Sequence, residues 1–207
     1  MNVSPRRERR AVSVSILAGG RSARMGRDKS LLRLGGRTLL GHARALAKEL
    51  NLPVRVIRRD LVPRCGPLGG IFTALKTSRA NAELFLACDM PFVSAELLRR
   101  LLAALKTRRA AFTVANGVAG FPFGLRAECL PIVEKQIRAR EFSLQSLARV
   151  LRAARVSPLR GHRNALLNVN TPQDLTAALE VRCARVIDSR VLPRPAVVAR
   201  RGRTKRS

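Results

Sequence analysis

Two groups of polar residues in this chain have the types and spacing for phosphate and metal chemistry. The first lies in residues 16–29, I-L-A-G-G-R-S-A-R-M-G-R-D-K, which combine two adjacent glycines with three arginines and a lysine. Because glycine has no Cβ atom, Gly19 and Gly20 would let backbone N–H groups approach a phosphate closely. The second is Asp89, a hard oxygen ligand of the kind that Mg²⁺ takes beside phosphates. The two groups predict a polyphosphate site with a magnesium ligand.

The flanking residues predict the elements that would position both groups. Residues 11–17 alternate β-branched residues with serines and predict a strand, and an amphipathic helix begins near Thr38. Asp89 follows the apolar run L-F-L-A-C, which is typical of a central strand covered by helices on both faces. Doubly wound sheets bind ligands at the carboxyl ends of such strands. We therefore expect Asp89 to lie opposite the glycine loop.

Strand-like and helix-like segments alternate along the rest of the chain. They predict an α/β fold with one three-layer α/β/α domain built on a mostly parallel, Rossmann-like open sheet. Further strands are expected at residues 53–57, 84–88, 111–115 and 166–169, with a hairpin from 111–115 to 121–123. Helices are expected at residues 37–50, 94–105, 127–140 and 143–154, and another leads from the G-P-L-G-G loop through Leu75.

The ends of the chain are polar and basic. Residues 1–10 are expected to form a basic extension, residues 11–181 the domain, and residues 182–207 a basic tail without fixed structure.

The charge balance is strongly basic, with 41 Lys and Arg against 13 Asp and Glu, a formal net charge of +28. Such a balance raises the possibility of a nucleic-acid or membrane-surface partner. However, the only aromatic residues are seven Phe, so stacking platforms for single-stranded nucleic acid are scarce. We expect small polyanionic substrates and no nucleic acid as the main partner.

Cysteine usage and hydropathy favour a cytoplasmic protein. The four cysteines are widely separated and form no C-x-x-C pair, which argues against a zinc site or a disulfide framework. No apolar run reaches the roughly 18 residues of a membrane-spanning helix, so no membrane association is expected.

Four motifs in order resemble a known family. The pattern L-A-G-G-x-S-x-R-M-G-x-D-K at residues 17–29 resembles the signature of the sugar-nucleotide-type nucleotidyltransferases, and it is most similar to the molybdenum cofactor guanylyltransferases. It is followed by Asp60 with G-P-L-G-G, by C-D-M-P-F at residues 88–92, and by N-V-N-T-P at residues 168–172. The related cytidylyltransferases usually carry A-A-G, so Gly20 favours guanine.

The resemblance implies transfer of GMP from GTP to the terminal phosphate of molybdopterin, with release of pyrophosphate and with Mg²⁺ held by Asp89. It implies that catalysis depends on Arg24, Lys29 and Asp89. The nucleotide would be bound by Leu17, Ala18, Gly19, Gly20, Lys29, Asp60 and Asp89. Asn168 and Asn170 would face the pterin. Molybdoenzymes or cofactor-delivery proteins would be further partners.

Two departures from the family pattern leave alternatives open. Family members generally carry another strand and loop, with a nucleotide-contacting Asn, before the V-I-x-D strand, and this stretch is absent here. Phe121-Pro122 stands where family members often have His-Pro. The alternatives are a related nucleotidyltransferase that uses CTP or a sugar phosphate, and a non-catalytic basic binding module. Lys29 with Asp89 favours an enzyme, since a binding module has no use for a magnesium carboxylate opposite a phosphate loop.

Overall fold

The structure, a computed structural model, describes residues 10–19, 29–159 and 164–191. Gly20 and Arg24 of the predicted phosphate loop therefore lie outside the described residues, as do residues 1–9 and 192–207 of the predicted terminal extensions.

A six-stranded sheet forms the middle layer, with strand order β4-β1-β5-β7-β6-β8. Five strands run in one direction, and β7 runs antiparallel between β5 and β6. The prediction of a mostly parallel sheet is thus confirmed. The strands are β1 (Arg10–Leu17), β4 (Val54–Ile57), β5 (Ala80–Ala87), β6 (Ala110–Ala115), β7 (Val118–Arg126) and β8 (Ala154–Val156).

Helices cover both faces of the sheet, which confirms the three-layer α/β/α prediction. One face carries α1 (Leu39–Glu49) and α3 (Ala95–Leu105), and the other carries α2 (Pro67–Thr77), α4 (Leu130–Arg138) and α5 (Leu144–Val150). Side-chain caps start several of these helices, since Thr38, Ser94 and Ser143 each accept a hydrogen bond from a backbone N–H three residues on.

Alternation along β1 and β5 divides the apolar residues between the two faces. Val14 and Leu84 face α1 and α3, whereas Phe85 faces α2. Phe123 stacks between Phe85 and Phe112, with ring centroids 4.9 and 4.4 Å apart, and this stack joins β5, β7 and β6.

A small third cluster lies beside the main layers. The ribbon of β2 (Arg33–Leu34) and β3 (Arg37–Thr38) packs with α6 (Pro172–Val191) around Leu34, Leu39, Phe92, Val169 and Ala178. The predicted boundary at residue 181 falls inside α6, so regular structure continues ten residues into the segment that was expected to be an unstructured tail.

Two predictions near the carboxyl end are wrong: the end of one helix and the presence of one strand. The helix expected over residues 143–154 ends at Val150, because Arg152 adopts a left-handed backbone with φ 47°. The chain then forms β8 at the sheet edge. Residues 166–169 form no strand, and the Val169 amide instead donates to the Asp89 carbonyl at 2.8 Å.

None of the helices in the described ranges is both long enough and apolar enough to cross a lipid bilayer.

Candidate active site

A cavity of about 670 Å³ opens at the carboxyl edge of β1, β4 and β5. Residues at or just beyond the ends of these three strands line it, as expected for a doubly wound sheet. The cavity brings together six of the predicted site residues, which are Leu17, Gly19, Lys29, Asp60, Asp89 and Asn170.

The loop after β1 passes very close to the segment after β4. A Cβ atom on Gly19 would lie 2.8 Å from the Arg58 carbonyl oxygen, which no side chain tolerates without a backbone shift. Next to it, the Ala18 amide donates to the Ile57 carbonyl at 2.9 Å and so extends the pairing of β1 with β4. The Ala18 amide is therefore part of the sheet pairing in this structure.

The G-P-L-G-G loop allows Asp60 to lie directly against the start of α2. A Cβ atom on Gly69 would lie 2.7 Å from Asp60 Oδ2 and 2.7 Å from the Val62 carbonyl oxygen. Thr73 fixes the contact, since its hydroxyl accepts from the Leu61 amide at 2.8 Å and donates to the Gly69 carbonyl at 2.8 Å. Burial raises the pKa of Asp60 above its ordinary value.

Asp89 follows the central strand β5, and two backbone hydrogen bonds, one of its own and one of the preceding Cys88, fix its position. The Cys88 amide donates to the Leu17 carbonyl at 3.4 Å, and the Asp89 carbonyl accepts from Val169. Burial raises the pKa of the Asp89 carboxyl, whereas its own backbone amide and the Lys29 ammonium lower it. The carboxylate is therefore partly desolvated and lies within the field of the Lys29 ammonium.

Lys29 and Asn170 meet across the mouth of the cavity. Lys29 Nζ donates to Asn170 Oδ1 at 3.3 Å, although 141 residues separate the two in sequence. Lys29 opens a short 3-10 turn, Lys29–Leu31, that leads into the β2–β3 ribbon. Asn168 is exposed and is not part of the cavity lining in the described chain. Of the two asparagines predicted on the pterin side, the structure brings Asn170 to the cavity.

Among the other residues that line the cavity are three that were not predicted to do so and that carry a functional or bulky side chain: Arg64, Cys88 and Phe121. Arg64 gave no signal because arginines are abundant throughout the sequence, and its left-handed backbone, φ 62°, is a property of the folded loop. Phe121 lies where the β6–β7 register shifts, so that Phe121 and Pro122 bulge out of the ladder. Its ring tilts by 54° on Phe123.

The donor set fits a magnesium ion that binds together with a nucleotide. The described residues contain no group of three or more His, Cys, Asp or Glu side chains that could enclose a metal by itself. Asp89 and Asp60 supply carboxylates to the same cavity as Lys29. Mg²⁺ at nucleotide sites is bound by one or two carboxylates, with substrate phosphates and waters completing the octahedron.

The mostly parallel sheet, the glycine loop and the lysine and carboxylates at its carboxyl edge define an α/β protein of the nucleotide-binding class. The family described as "MobA-like NTP transferase domain" matches residues 14–159, and the chain belongs to this family. The family prediction is thereby confirmed, and the chain is a nucleotidyltransferase by family.

Named relatives cover most of the chain. It is 32% identical over 192 residues to a "Probable molybdenum cofactor guanylyltransferase" of Carboxydothermus hydrogenoformans, covering 82% of this chain and 96% of the relative. It is 34% identical over 173 residues to a "Molybdenum cofactor guanylyltransferase" of Xanthomonas euvesicatoria, covering 76% and 89%.

Solved structures share the fold. Molybdopterin-guanine dinucleotide biosynthesis protein A of Archaeoglobus fulgidus matches with a TM-score of 0.64 at 22% identity, over 84% of this chain and 99% of that one. A 2-C-methyl-D-erythritol 4-phosphate cytidylyltransferase of Thermus thermophilus matches with a TM-score of 0.62 at 19% identity, over 83% and 98%. The fold is thus shared by enzymes named for different nucleotides.

Proposed function

We propose that this protein transfers GMP from GTP to the terminal phosphate of molybdopterin and releases pyrophosphate. One observation carries the proposal: a single cavity holds Lys29 from the end of the glycine loop, Asp89 from the end of β5, and Asn170 from the N-V-N-T-P segment. The names of the relatives that align over most of the chain support the same activity.

Lys29 would bind the triphosphate, with Arg24 as a second cation. The Lys29 ammonium lines the cavity and is held there by its 3.3 Å bond to Asn170, so it is in place to bind a phosphate oxygen. Phosphoryl-type transfer requires mainly positioning and charge neutralisation, which fixed cations supply.

Asp89 would hold the magnesium ion, with Asp60 as a second carboxylate in the same cavity. When bound, Mg²⁺ neutralises phosphate charge, makes the α-phosphorus more electrophilic and stabilises the leaving pyrophosphate. The position of Asp89 is fixed by the Val169 amide and by the pairing of Cys88 with Leu17.

Asn170 would lie on the acceptor side, and no side-chain nucleophile is required. An acceptor phosphate oxygen, ionised at neutral pH, forms the new bond to the α-phosphorus of GTP, and the bond to the β-phosphate oxygen breaks. The residues of this chain therefore orient two phosphates and stabilise charge. We place the reaction in the cytoplasm, which agrees with the free thiols of all four cysteines, Cys65, Cys88, Cys129 and Cys183.

Calorimetry with Mg²⁺ and with GTP, CTP or ATP tests the proposal on the wild-type protein, Asp89→Ala and the control Glu49→Gln. Glu49 is an exposed carboxylate in α1 that pairs with Arg99 at 3.5 Å and does not line the cavity. We expect magnesium-dependent binding that prefers GTP in the wild type and the control, and its loss in Asp89→Ala. Turnover with molybdopterin should then fall roughly 100-fold or more in that variant.

Two results would overturn the proposal in different ways. A preference for CTP would assign the protein to the cytidylyltransferases that share its fold. An absence of nucleotide binding in the wild type would favour a non-catalytic binding module.

A further inference from the structure

The start of α6 is built around one carboxylate. Asp174 Oδ2 accepts from the backbone amides of Asn170 and Thr171, each at 2.8 Å. In return, the Thr171 hydroxyl accepts from the Asp174 amide at 3.1 Å. This reciprocal pattern is a capping box, and helix capping alone accounts for the bonds between Thr171 and Asp174. It does not account for the bond to the Asn170 amide, which lies outside the helix.

The Asn170 bond acts on the cavity through three consecutive residues. The Asn170 side chain accepts from Lys29 Nζ at 3.3 Å. One residue earlier, the Val169 amide donates to the Asp89 carbonyl at 2.8 Å, while the Val169 side chain is buried in the small cluster around α6. A single segment, residues 169–171, is therefore fixed by Asp174 on one side and contacts both Lys29 and Asp89 on the other.

Helix α6 also holds the segment that follows Lys29. The Leu34 carbonyl of the ribbon accepts from Arg182 Nη1 at 3.3 Å and contacts His42 Nε2 at 3.0 Å. Leu34 and Ala178 pack in the same cluster. Lys29 is therefore held in two ways: directly by the Asn170 side chain just before α6, and indirectly by the contacts of α6 with the ribbon that follows Lys29 in sequence.

The same hydrogen bonds also favour the ionised form of Asp174. The amides of Asn170 and Thr171, followed by the Thr171 hydroxyl, lower the pKa of Asp174 below its ordinary value. Lys29 lowers that pKa further, and the small opposing effect of burial does not cancel these contributions. The carboxylate is therefore ionised at neutral pH and lies within the field of the Lys29 ammonium.

We propose that Asp174 is a positioning residue of the transfer reaction: through the Asn170 amide it fixes the orientation of the Asn170 side chain and of Lys29 at the cavity mouth. Its catalytic consequence rests on the proposed function, whereas its effect on Lys29 does not. Asp174 does not line the cavity, so it acts through the two residues that do.

Two substitutions separate positioning from helix capping. Thr171→Ala removes the bond to the Asp174 amide and leaves both amides bonded to the Asp174 carboxylate. Asp174→Ala releases the Asn170 amide as well. Both remove half of the capping box, so we expect both to lower the melting temperature by a similar amount.

The first readout is independent of turnover and measures the reactivity of Lys29 toward an amine-acylating reagent by peptide mass spectrometry. The chain has only six lysines, and the exposed Lys48 and Lys106 serve as internal references. We expect Lys29 to react several-fold faster in Asp174→Ala and at the wild-type rate in Thr171→Ala. Asp174→Asn removes the charge but keeps an acceptor oxygen, so it should remain near the wild-type rate.

Three results would overturn the inference. Equal Lys29 reactivity in Asp174→Ala and the wild type would show that Asp174 does not fix the lysine. Equal acceleration in Thr171→Ala would reduce its role to capping. Equal acceleration in Asp174→Asn would show an effect of charge alone.

The second readout is turnover with GTP and molybdopterin. We expect Asp174→Ala to lower kcat roughly 10-fold to 100-fold, as small misplacements of catalytic groups do, and Thr171→Ala to leave it nearly unchanged. If Lys29 is acylated faster in Asp174→Ala but the wild type shows no turnover, the proposed reaction is contradicted while the positioning role is supported. Unchanged kcat in Asp174→Ala, in an active protein, would contradict the catalytic consequence.

Discussion

Two carboxylates belong to the central strand β5, Glu83 within it and Asp89 just after it, and they are held in opposite ways. Glu83, which is 1% exposed, accepts from Ser13 at 2.6 Å, from Ser15 at 2.8 Å, from Arg55 at 3.2 Å and from Ser78. Asp89 lies just beyond the carboxyl end of the strand, where burial raises the pKa of its carboxyl, and among the described residues its own amide and Lys29 oppose that effect.

The difference separates a structural carboxylate from one that we propose to be functional. Four side-chain donors from β1, β4 and the loop between α2 and β5 surround Glu83, so its charge is balanced inside the protein. Among the described residues Asp89 has fewer side-chain donors than Glu83, and it lines the cavity, where its charge would be available to a cation. A carboxylate on a buried strand therefore indicates a metal site only when the fold leaves its oxygens incompletely bonded.

The largest expected effect tests the structural member of the pair. Glu83→Gln loses the charge that Arg55 and three hydroxyls bind, so we expect a loss of about 2 kcal/mol in the free energy of unfolding. This corresponds to a fall of about 5 °C in melting temperature for a chain of this size. Thermal unfolding followed by circular dichroism measures it.

The matched control is Glu49→Gln, which removes an exposed Glu–Arg pair with side chains 59% and 52% exposed. We expect a change below about 0.5 kcal/mol for this control. Equal effects of the two substitutions would contradict the distinction. Nucleotide binding should survive in the folded fraction of both variants.

The second prediction concerns the charge of Asp89. Because Lys29 lowers the pKa of Asp89, Lys29→Met should raise that pKa further. The carboxylate would then lose its negative charge at a higher pH, and magnesium-dependent nucleotide binding would weaken at a higher pH than in the wild type. Calorimetry across an acidic pH series, with and without Mg²⁺, gives for each protein the midpoint, which is the pH at which magnesium-dependent nucleotide binding is half lost.

Lys48→Met controls for the loss of one positive charge, since Lys48 is exposed and does not line the cavity. Its midpoint should equal that of the wild type. A Lys29→Met midpoint that is unchanged or lower would refute the interaction between Lys29 and Asp89.

The smallest expected effect is a gain in stability. The pKa of Asp89 is higher in the folded protein than its ordinary value of 3.8, so the folded state binds more protons between these two pKa values. Stability is therefore lost as the pH rises through this window, and the full cost remains at neutral pH. Asp89→Asn removes that cost.

Calorimetric melting in the presence of a chelator should show a slightly higher melting temperature for Asp89→Asn at neutral pH. The gain should shrink as the pH falls toward the pKa of a free carboxyl. A lower melting temperature at neutral pH would indicate that Asp89 is a structural residue like Glu83.

The parts of the fold that local sequence could predict are those with strong patterns. The alternation in β1 and the apolar run of β5 each specify a strand locally, and the helix expected from residue 94 begins there with Ser94 as its cap. The start of α6 is also specified locally, because Thr171 and Asp174 have the spacing of a capping box. That spacing does not encode the contact with the cavity.

The parts that could not be predicted depend on tertiary contacts. The three-residue strand β8 is defined by pairing with β6, and two-residue strands β2 and β3 by pairing with each other. The position of Arg64 and the bulge at Phe121 depend on loop backbone and register. No periodicity of hydrophobic residues encodes these features, because each involves too few residues.

The stack of Phe85, Phe123 and Phe112 has an optical consequence. The chain has no Trp or Tyr, so its near-ultraviolet circular dichroism arises chiefly from phenylalanine, and rings fixed within 4.9 Å of each other at the sheet centre should dominate it. The protein would also be nearly silent in intrinsic fluorescence. A fluorescent pterin entering the cavity could therefore be followed directly, with little background from the protein that binds it.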